Sequence, residues 1–288
     1  VSPVELCGLD GIRLAADARG DPNDPTVVLL HGGGQTRHAW GGALGVLAAH
    51  GWYALAVDLR GHGDSEWSPD GVYDLDRFAA DTAEIARAFD RPALVGASLG
   101  GLASLAAIGE ADDPIASALV LVDVTPRLEM PGVRRIGEFM RSGLDGFDSL
   151  EQVADAVAGY VTHRPRPTDL SGLRKNVRQR ADGKWVWHWD PRFVDRMSDA
   201  AGEPTGGFIR ANRLHEAATR VGVPTLLVRG GVSDVVSVEG VEELRRLVPH
   251  AEVVDVAGVG HMVAGDRNDR FNAAIVEFLD RVARSSAP

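Results

Sequence analysis

A single cysteine, Cys7, stands in 288 residues, so no disulfide can close within the chain. Nothing in the cysteine content calls for an oxidising compartment. Positive charge is in deficit: 30 Lys and Arg against 41 Asp and Glu leave a net charge of −11. Such a chain has no electrostatic reason to seek nucleic acid or an anionic membrane surface, and neither is expected as a partner. Long apolar runs are missing as well. The longest, such as Ala118–Val122, are strand-sized, far from the ~20 residues of a membrane helix. Val1–Asp10 lacks the basic flank and apolar run of a signal peptide, so a cytoplasmic location is expected. There is no HExxH and no cysteine cluster, and neither a metal nor a cofactor is expected.

Ordinary globular composition is present, 44% hydrophobic and 25% charged, enough for a large core. Short runs rich in Val, Leu and Ala read as strands: 26–30, 53–58, 93–96, 118–122, 225–229 and 251–256. They are continuous rather than alternating, as strands buried on both faces of a parallel sheet are. Helical patterns lie between them at 39–50, 75–89, 99–109, 238–247 and 268–282. The alternation predicts an α/β fold with a mostly parallel sheet and helices on both faces. Segments 4–9 and 12–18, joined at Asp10-Gly11, read as an antiparallel hairpin leading into it. The pattern breaks at Arg127 and resumes near residue 216. Residues 127–215 therefore read as a mostly helical insert, with helices at 133–142 and 149–161, between the core halves 1–126 and 216–288.

Gly96-Ala97-Ser98-Leu99-Gly100 sits between a strand and a helix. A tight strand-to-helix turn needs small residues around the serine, which it holds out at a helix N-terminus. Ser98 is thus the candidate nucleophile. His31-Gly32-Gly33-Gly34 directly follows the strand at 26–30. Glycines there can point backbone N–H groups at a developing oxyanion, which makes Gly33 (with Gly34 beside it) and Leu99 the candidate oxyanion donors. A phosphate cradle is the competing use of such a loop, but no P-loop lysine follows and the spacing is not GxGxxG.

A serine hydroxyl needs a base. His261, in Gly258-Val259-Gly260-His261-Met262, follows the last strand and precedes the last helix, where open α/β sheets gather their ligands. His62, in Arg60-Gly61-His62-Gly63-Asp64-Ser65, reads as a structural turn residue, and His188 as one that packs or lines a wall. For the acid that orients the base, Asp234 follows the strand at 225–229. It lies 136 residues after Ser98 and 27 before His261. Asp123, at the end of the strand at 118–122, competes with it. Its other reading is to bind backbone N–H groups where the chain leaves for the insert.

Taken together, these motifs resemble the α/β-hydrolase superfamily, in particular its branch of cofactor-free haloperoxidase, esterase and epoxide-hydrolase-like proteins. The resemblance spans nearly the whole chain outside the insert. It implies an α/β-hydrolase fold, a Ser98–His261–Asp234 triad in the family's chain order, and a cap made of residues 127–215. Epoxide hydrolases and haloalkane dehalogenases of the superfamily carry an aspartate at the nucleophile position. Ser98 instead implies acyl chemistry on a small-molecule carbonyl substrate: an ester, lactone or thioester. A carbon–carbon bond hydrolase, a cofactor-free oxygenase or perhydrolase, and a non-catalytic ligand-binding protein are the other readings. Gly34, Trp40, Phe139, Met140 and Trp187 are expected to line the substrate pocket. Trp185, Trp187 and Trp189, which alternate, would share one face in a strand, either in the cap's own core or as a wall over the site.

Overall fold

Successive residues of β3 (Thr26–Leu30) face opposite sides of a sheet, and both sides are apolar. Val28 and Leu30 join one core cluster, Val27 and Leu29 the other, and all four are fully buried. The same division runs through β4 (Tyr53–Val57), β5 (Ala93–Ala97), β6 (Ala118–Val122) and β9 (Thr225–Gly230). Each such side chain contributes roughly 1.5–3 kcal/mol on leaving water, and the two-sided burial explains the continuous apolar runs.

The computed structural model describes residues 1–160, 166, 168–195, 212–231, 233–257 and 269–285. With β1 (Ser2–Cys7), β2 (Arg13–Arg19) and β10 (Glu252–Val256), the strands form one eight-stranded sheet in the order β1-β2-β4-β3-β5-β6-β9-β10. β2 is antiparallel to both its neighbours; from β4 to β10 every pairing is parallel. Helices α1 (Gly41–Ala49) and α8 (Asp269–Ser285) cover one face. The other is covered by α2 (Leu75–Arg87), α3 (Leu99–Glu110), α6 (Arg213–Thr219) and α7 (Val238–Leu247). The α/β fold with a mostly parallel sheet is therefore present. Its parallel strands all end at one edge, so the loops after β3, β5, β6 and β9 open together there. No helix among the described residues is long and apolar enough to cross a membrane.

Between β6 and β9 the chain forms α4 (Met130–Arg141) and α5 (Leu150–Tyr160), then a short antiparallel hairpin, β7 (Val177–Gln179) with β8 (Trp185–Trp187). The hairpin adds strand structure to a segment expected to be mostly helical. Its continuation is fastened to the loop after β4. The Gly63 N–H donates to the His188 carbonyl (2.7 Å), and the Asp190 N–H to the Gly61 carbonyl (2.8 Å). The Tyr73 hydroxyl donates to Asp190 Oδ2 (2.6 Å), and Phe193 is fully buried against Tyr73 and Phe78. Met140, Phe147, Trp187 and Phe193 belong to the same cluster as α2 and α3, so this segment shares the core of the sheet. α6 begins three residues before the expected boundary at 216 and packs on α3.

Candidate active site

Ser98 is where β5 turns into α3, with φ 46° and ψ −113°. A non-glycine residue held at such a positive φ costs roughly 1–3 kcal/mol and persists only where its surroundings dictate it. The surroundings are tight. A Cβ on Gly96 would lie 2.4 Å from the Gly100 carbonyl carbon, and one on Gly100 would lie 2.4 Å from the Leu30 carbonyl oxygen. Only glycine fits either position, which is the physical content of the motif. The Ser98 N–H donates to the Val122 carbonyl (3.2 Å), fixing the turn to β6, and the serine itself remains half-buried.

The loop after β3 lies alongside. A Cβ on Gly32 would sit 3.3 Å from Ser98 Cβ, and one on Gly33 would sit 3.9 Å from Leu99 Cδ2. The Gly32 N–H donates to Gln35 Oε1 (2.9 Å) and the Gly34 N–H to His62 Nε2 (3.2 Å). The Gly100 N–H donates to the His31 carbonyl (3.1 Å). Gly33 and Leu99 are left with N–H groups that have no acceptor among the described residues. Each stands between two neighbours whose N–H groups are engaged. Gly34, by contrast, has its N–H occupied and is not a second donor.

His31 and His62 are both fully buried, with ring centroids 5.1 Å apart. Each sets one ring nitrogen against a carbonyl, His31 Nδ1 at 2.8 Å from Gly32 O and His62 Nδ1 at 3.0 Å from Arg60 O. A carbonyl only accepts, so each Nδ1 carries the proton and each Nε2 accepts a backbone N–H: Leu59 (3.0 Å) for His31, Gly34 for His62. Burial holds both imidazoles neutral, at about 4 for His31 and about 3 for His62. The unfolded chain takes protons near pH 6.5 that these native groups refuse. Stability is therefore fully present above about pH 6.5 and is lost as the pH falls below it, with a slope approaching ~1.4 kcal/mol per pH unit for each imidazole. Urea midpoints at pH 7.5, 6 and 5 should fall steadily; a flat series would show that the two rings are not held neutral.

Two aspartates flank the site. Asp123 directly follows β6 and, like Ser98, has a positive φ, 51°. It is fully buried; its Oδ1 accepts the Gly230 N–H (2.9 Å) and its Oδ2 the Ser233 hydroxyl (2.8 Å). Asp234 is exposed, and its Oδ2 pairs with Arg135 Nη2 of α4 at 3.1 Å. His261 lies outside the described residues. The chain leaves β10 at Val256, two strands from Asp123, and is described again from Asp269.

The family model for the alpha/beta hydrolase family matches residues 27–274. The chain belongs to this family. Among the similar proteins of this alpha/beta hydrolase is an esterase of Mycobacterium tuberculosis, 33% identical over 93% of this chain and 85% of the relative. The solved structure of that esterase aligns with a TM-score of 0.72 at 29% identity, over 99% of this chain and 91% of that one. Epoxide hydrolase A of the same organism is 27% identical over 96% of this chain and 98% of the relative. A 2-(acetamidomethylene)succinate hydrolase of Mesorhizobium japonicum is 30% identical over 78% of each chain.

In this alpha/beta hydrolase, the residues expected to line a pocket divide into two groups. Met140 is buried against Gly34, where a Cβ would fall 3.2 Å from its Cε. Phe139 stacks on Tyr160 at 4.6 Å and meets Trp187 at 5.3 Å. Trp187 stacks on Trp189 at 4.9 Å and meets Phe147 edge-on, so these two of the alternating tryptophans take part in an aromatic cluster with α4 and α5, while Trp185 lies under the Arg174 guanidinium. Trp40 is a correction. It is fully buried in the cluster of the α1 and α8 face with Val27, Leu29 and Phe271, because the short turn at Arg37–Trp40 directs it under the sheet. Phe193 was not expected at the site at all. Its ring meets His62 at 4.8 Å, and its Cζ would lie 3.3 Å from a Cβ on Gly33. Among the described residues no cluster of His, Cys, Asp and Glu is arranged to hold a metal ion.

Proposed function

We propose that the chain is a serine hydrolase that cleaves a carboxylic ester-type bond (ester, lactone or thioester) of a small molecule through an acyl-enzyme. The observation that carries this reading is the strained Ser98 turn beside the N–H groups of Gly33 and Leu99, which have no acceptor among the described residues. Ser98 Oγ attacks the carbonyl carbon while His261 takes its proton. The carbonyl oxygen becomes an oxyanion held by the two N–H groups, each such donor being worth ~3 kcal/mol in the transition state. Collapse expels the alcohol, protonated by His261, and leaves Ser98 acylated. Water, deprotonated by His261, then releases the acid. Similarity to an esterase at 33% identity supports the same reading. Serine also argues against epoxide opening by covalent catalysis: Ser98 would form an ether, and an ether has no carbonyl for the N–H groups to activate.

The acid has two candidates. Its place in the loop after β9, 27 residues before His261, favours Asp234. Burial favours Asp123, and a buried carboxylate with both oxygens anchored is better suited to hold an imidazolium than an exposed one already paired with Arg135. We assign the role to Asp123.

Residues 127–215 would act as the cap, with Met140, Phe139 and Trp187 as its wall over the acyl or alcohol site. A series of p-nitrophenyl esters from acetate to decanoate tests both parts. The wild-type protein should release a burst of p-nitrophenol stoichiometric with enzyme and label with a fluorophosphonate at Ser98. No burst and no label would overturn the reading, and oxygen uptake without added cofactor would point to an oxygenase instead. Met140→Ala should shift the preferred chain length, by a graded ~1–3 kcal/mol per methylene, with labelling intact. A uniform change across the series would show that Met140 is not part of a specificity wall.

A further inference from the structure

Backbone N–H groups in a glycine loop are not aimed by the loop itself, since glycine permits many orientations. In the segment after β3 the aim is set by side chains, two from the loop itself and one from the loop after β4. Gln35 Oε1 takes the Gly32 N–H, and Gln35 N–H itself donates to the Gly32 carbonyl (3.1 Å). His31 Nδ1 donates to the same carbonyl, and the His31 carbonyl is tied to Gly100 N–H on α3. His62, 28 residues downstream of Gly34, takes the Gly34 N–H. The peptide groups on either side of Gly33 are thus fixed, and the Gly33 N–H is left without an acceptor among the described residues. We infer that Gln35 and His62 are positioning residues of the oxyanion site: by engaging the N–H groups of Gly32 and Gly34 they hold the Gly33 N–H free and directed beside Ser98.

The inference rests on the serine-hydrolase reading and goes beyond it. It gives His62, whose neighbours Gly61 and Gly63 suggest only a turn, a role in rate. It also extends to the insert. Phe193 lies edge-on against the His62 ring and beside Gly33, so a residue of the insert shields the imidazole that must stay neutral to accept. Protonated, His62 would present a donor to the Gly34 N–H.

The test uses the full chain and three variants. His62→Phe keeps a flat ring but removes the acceptor; Gln35→Met keeps length and volume but removes the acceptor; His62→Gln restores an acceptor carbonyl. With p-nitrophenyl acetate, His62→Phe and Gln35→Met should lower kcat on the order of 10²-fold, as loss of an oxyanion donor does, with KM unchanged. Affinity for a trifluoromethyl ketone, which forms a tetrahedral adduct on a serine, should fall by the same factor. His62→Gln should recover most of both. In the wild-type protein, adduct formation should move the Gly33 and Leu99 amide protons furthest downfield in an NMR spectrum, and the Gly34 amide little. This last readout stands even if a variant fails to fold. Wild-type kcat and ketone affinity in both acceptor-less variants would overturn the inference, as would a rise in KM alone or a larger shift at Gly34 than at Gly33. Absence of both a burst and a fluorophosphonate label in the wild-type protein would instead overturn the serine-hydrolase reading itself.

Discussion

Ser98→Ala is expected to lower kcat/KM for p-nitrophenyl esters by ~10³-fold or more, about 4 kcal/mol of transition-state stabilisation. In the proposed mechanism nucleophile and base act as a unit, so losing the hydroxyl would forfeit the contribution of His261 as well. Folding should survive. Only one oxygen is removed, the Ser98 N–H bond to the Val122 carbonyl remains, and alanine bears the positive φ as serine does. The measurement is steady-state kinetics on protein whose circular dichroism and urea midpoint match the wild type, alongside fluorophosphonate labelling. A folded variant that keeps more than about a tenth of the activity would remove Ser98 from the mechanism, since far larger losses are the rule for such groups.

The second large effect separates the aspartates. Asp123→Asn should cost on the order of 10³–10⁴-fold in kcat, through the wrong imidazole tautomer and loss of the charge that stabilises the imidazolium. The substitution is tolerable at the site: the asparagine carbonyl can still accept the Gly230 N–H, and its NH₂ can donate to the Ser233 hydroxyl, which then accepts. Asp234→Asn breaks an exposed pair with Arg135, worth ~0–1 kcal/mol, and should change kcat by less than about threefold. Rates measured over pH 5–9 should also show the profile of the base altered by Asp123→Asn and not by Asp234→Asn. The reverse pattern returns the acid to Asp234.

The strands were legible because burial on both faces writes an uninterrupted apolar run. Thr26–Leu30 and Ala118–Val122 coincide with their expected limits, and α7 does so as well. The elbow was legible for a related reason: a backbone that approaches itself within 2.4 Å admits only glycine at Gly96 and Gly100. Relations between distant residues escaped. The Arg135–Asp234 pair joins α4 to a loop about a hundred residues later, and no local pattern announces it. Trp40 was misplaced because an aromatic after a glycine loop fits either a pocket or a core, and the turn at Arg37–Trp40 decides. His62 was read as a turn residue, which it is. That its Nε2 reaches Gly34 depends on β4 lying beside β3, a fact of topology rather than of sequence spacing. Phe193 comes after a tryptophan-rich stretch without any signal of its own.

The fastening of residues 188–193 to the loop after β4 bears on how such proteins can be recombined. A segment that ends in Phe193, fully buried beneath His62, and in Asp190, bonded to Tyr73, cannot be excised as a cassette without opening the host beneath it. The exchangeable unit is shorter than the insertion: α4, α5 and the stretch of chain between α5 and the hairpin. Chimaeras that splice there keep the floor made by residues 188–193 and need only match the contact of Met140 with Gly34, whereas those that trade everything between β6 and β9 trade that floor too. Diversification of this segment would accordingly proceed from its leading half, with the trailing half retained as foundation.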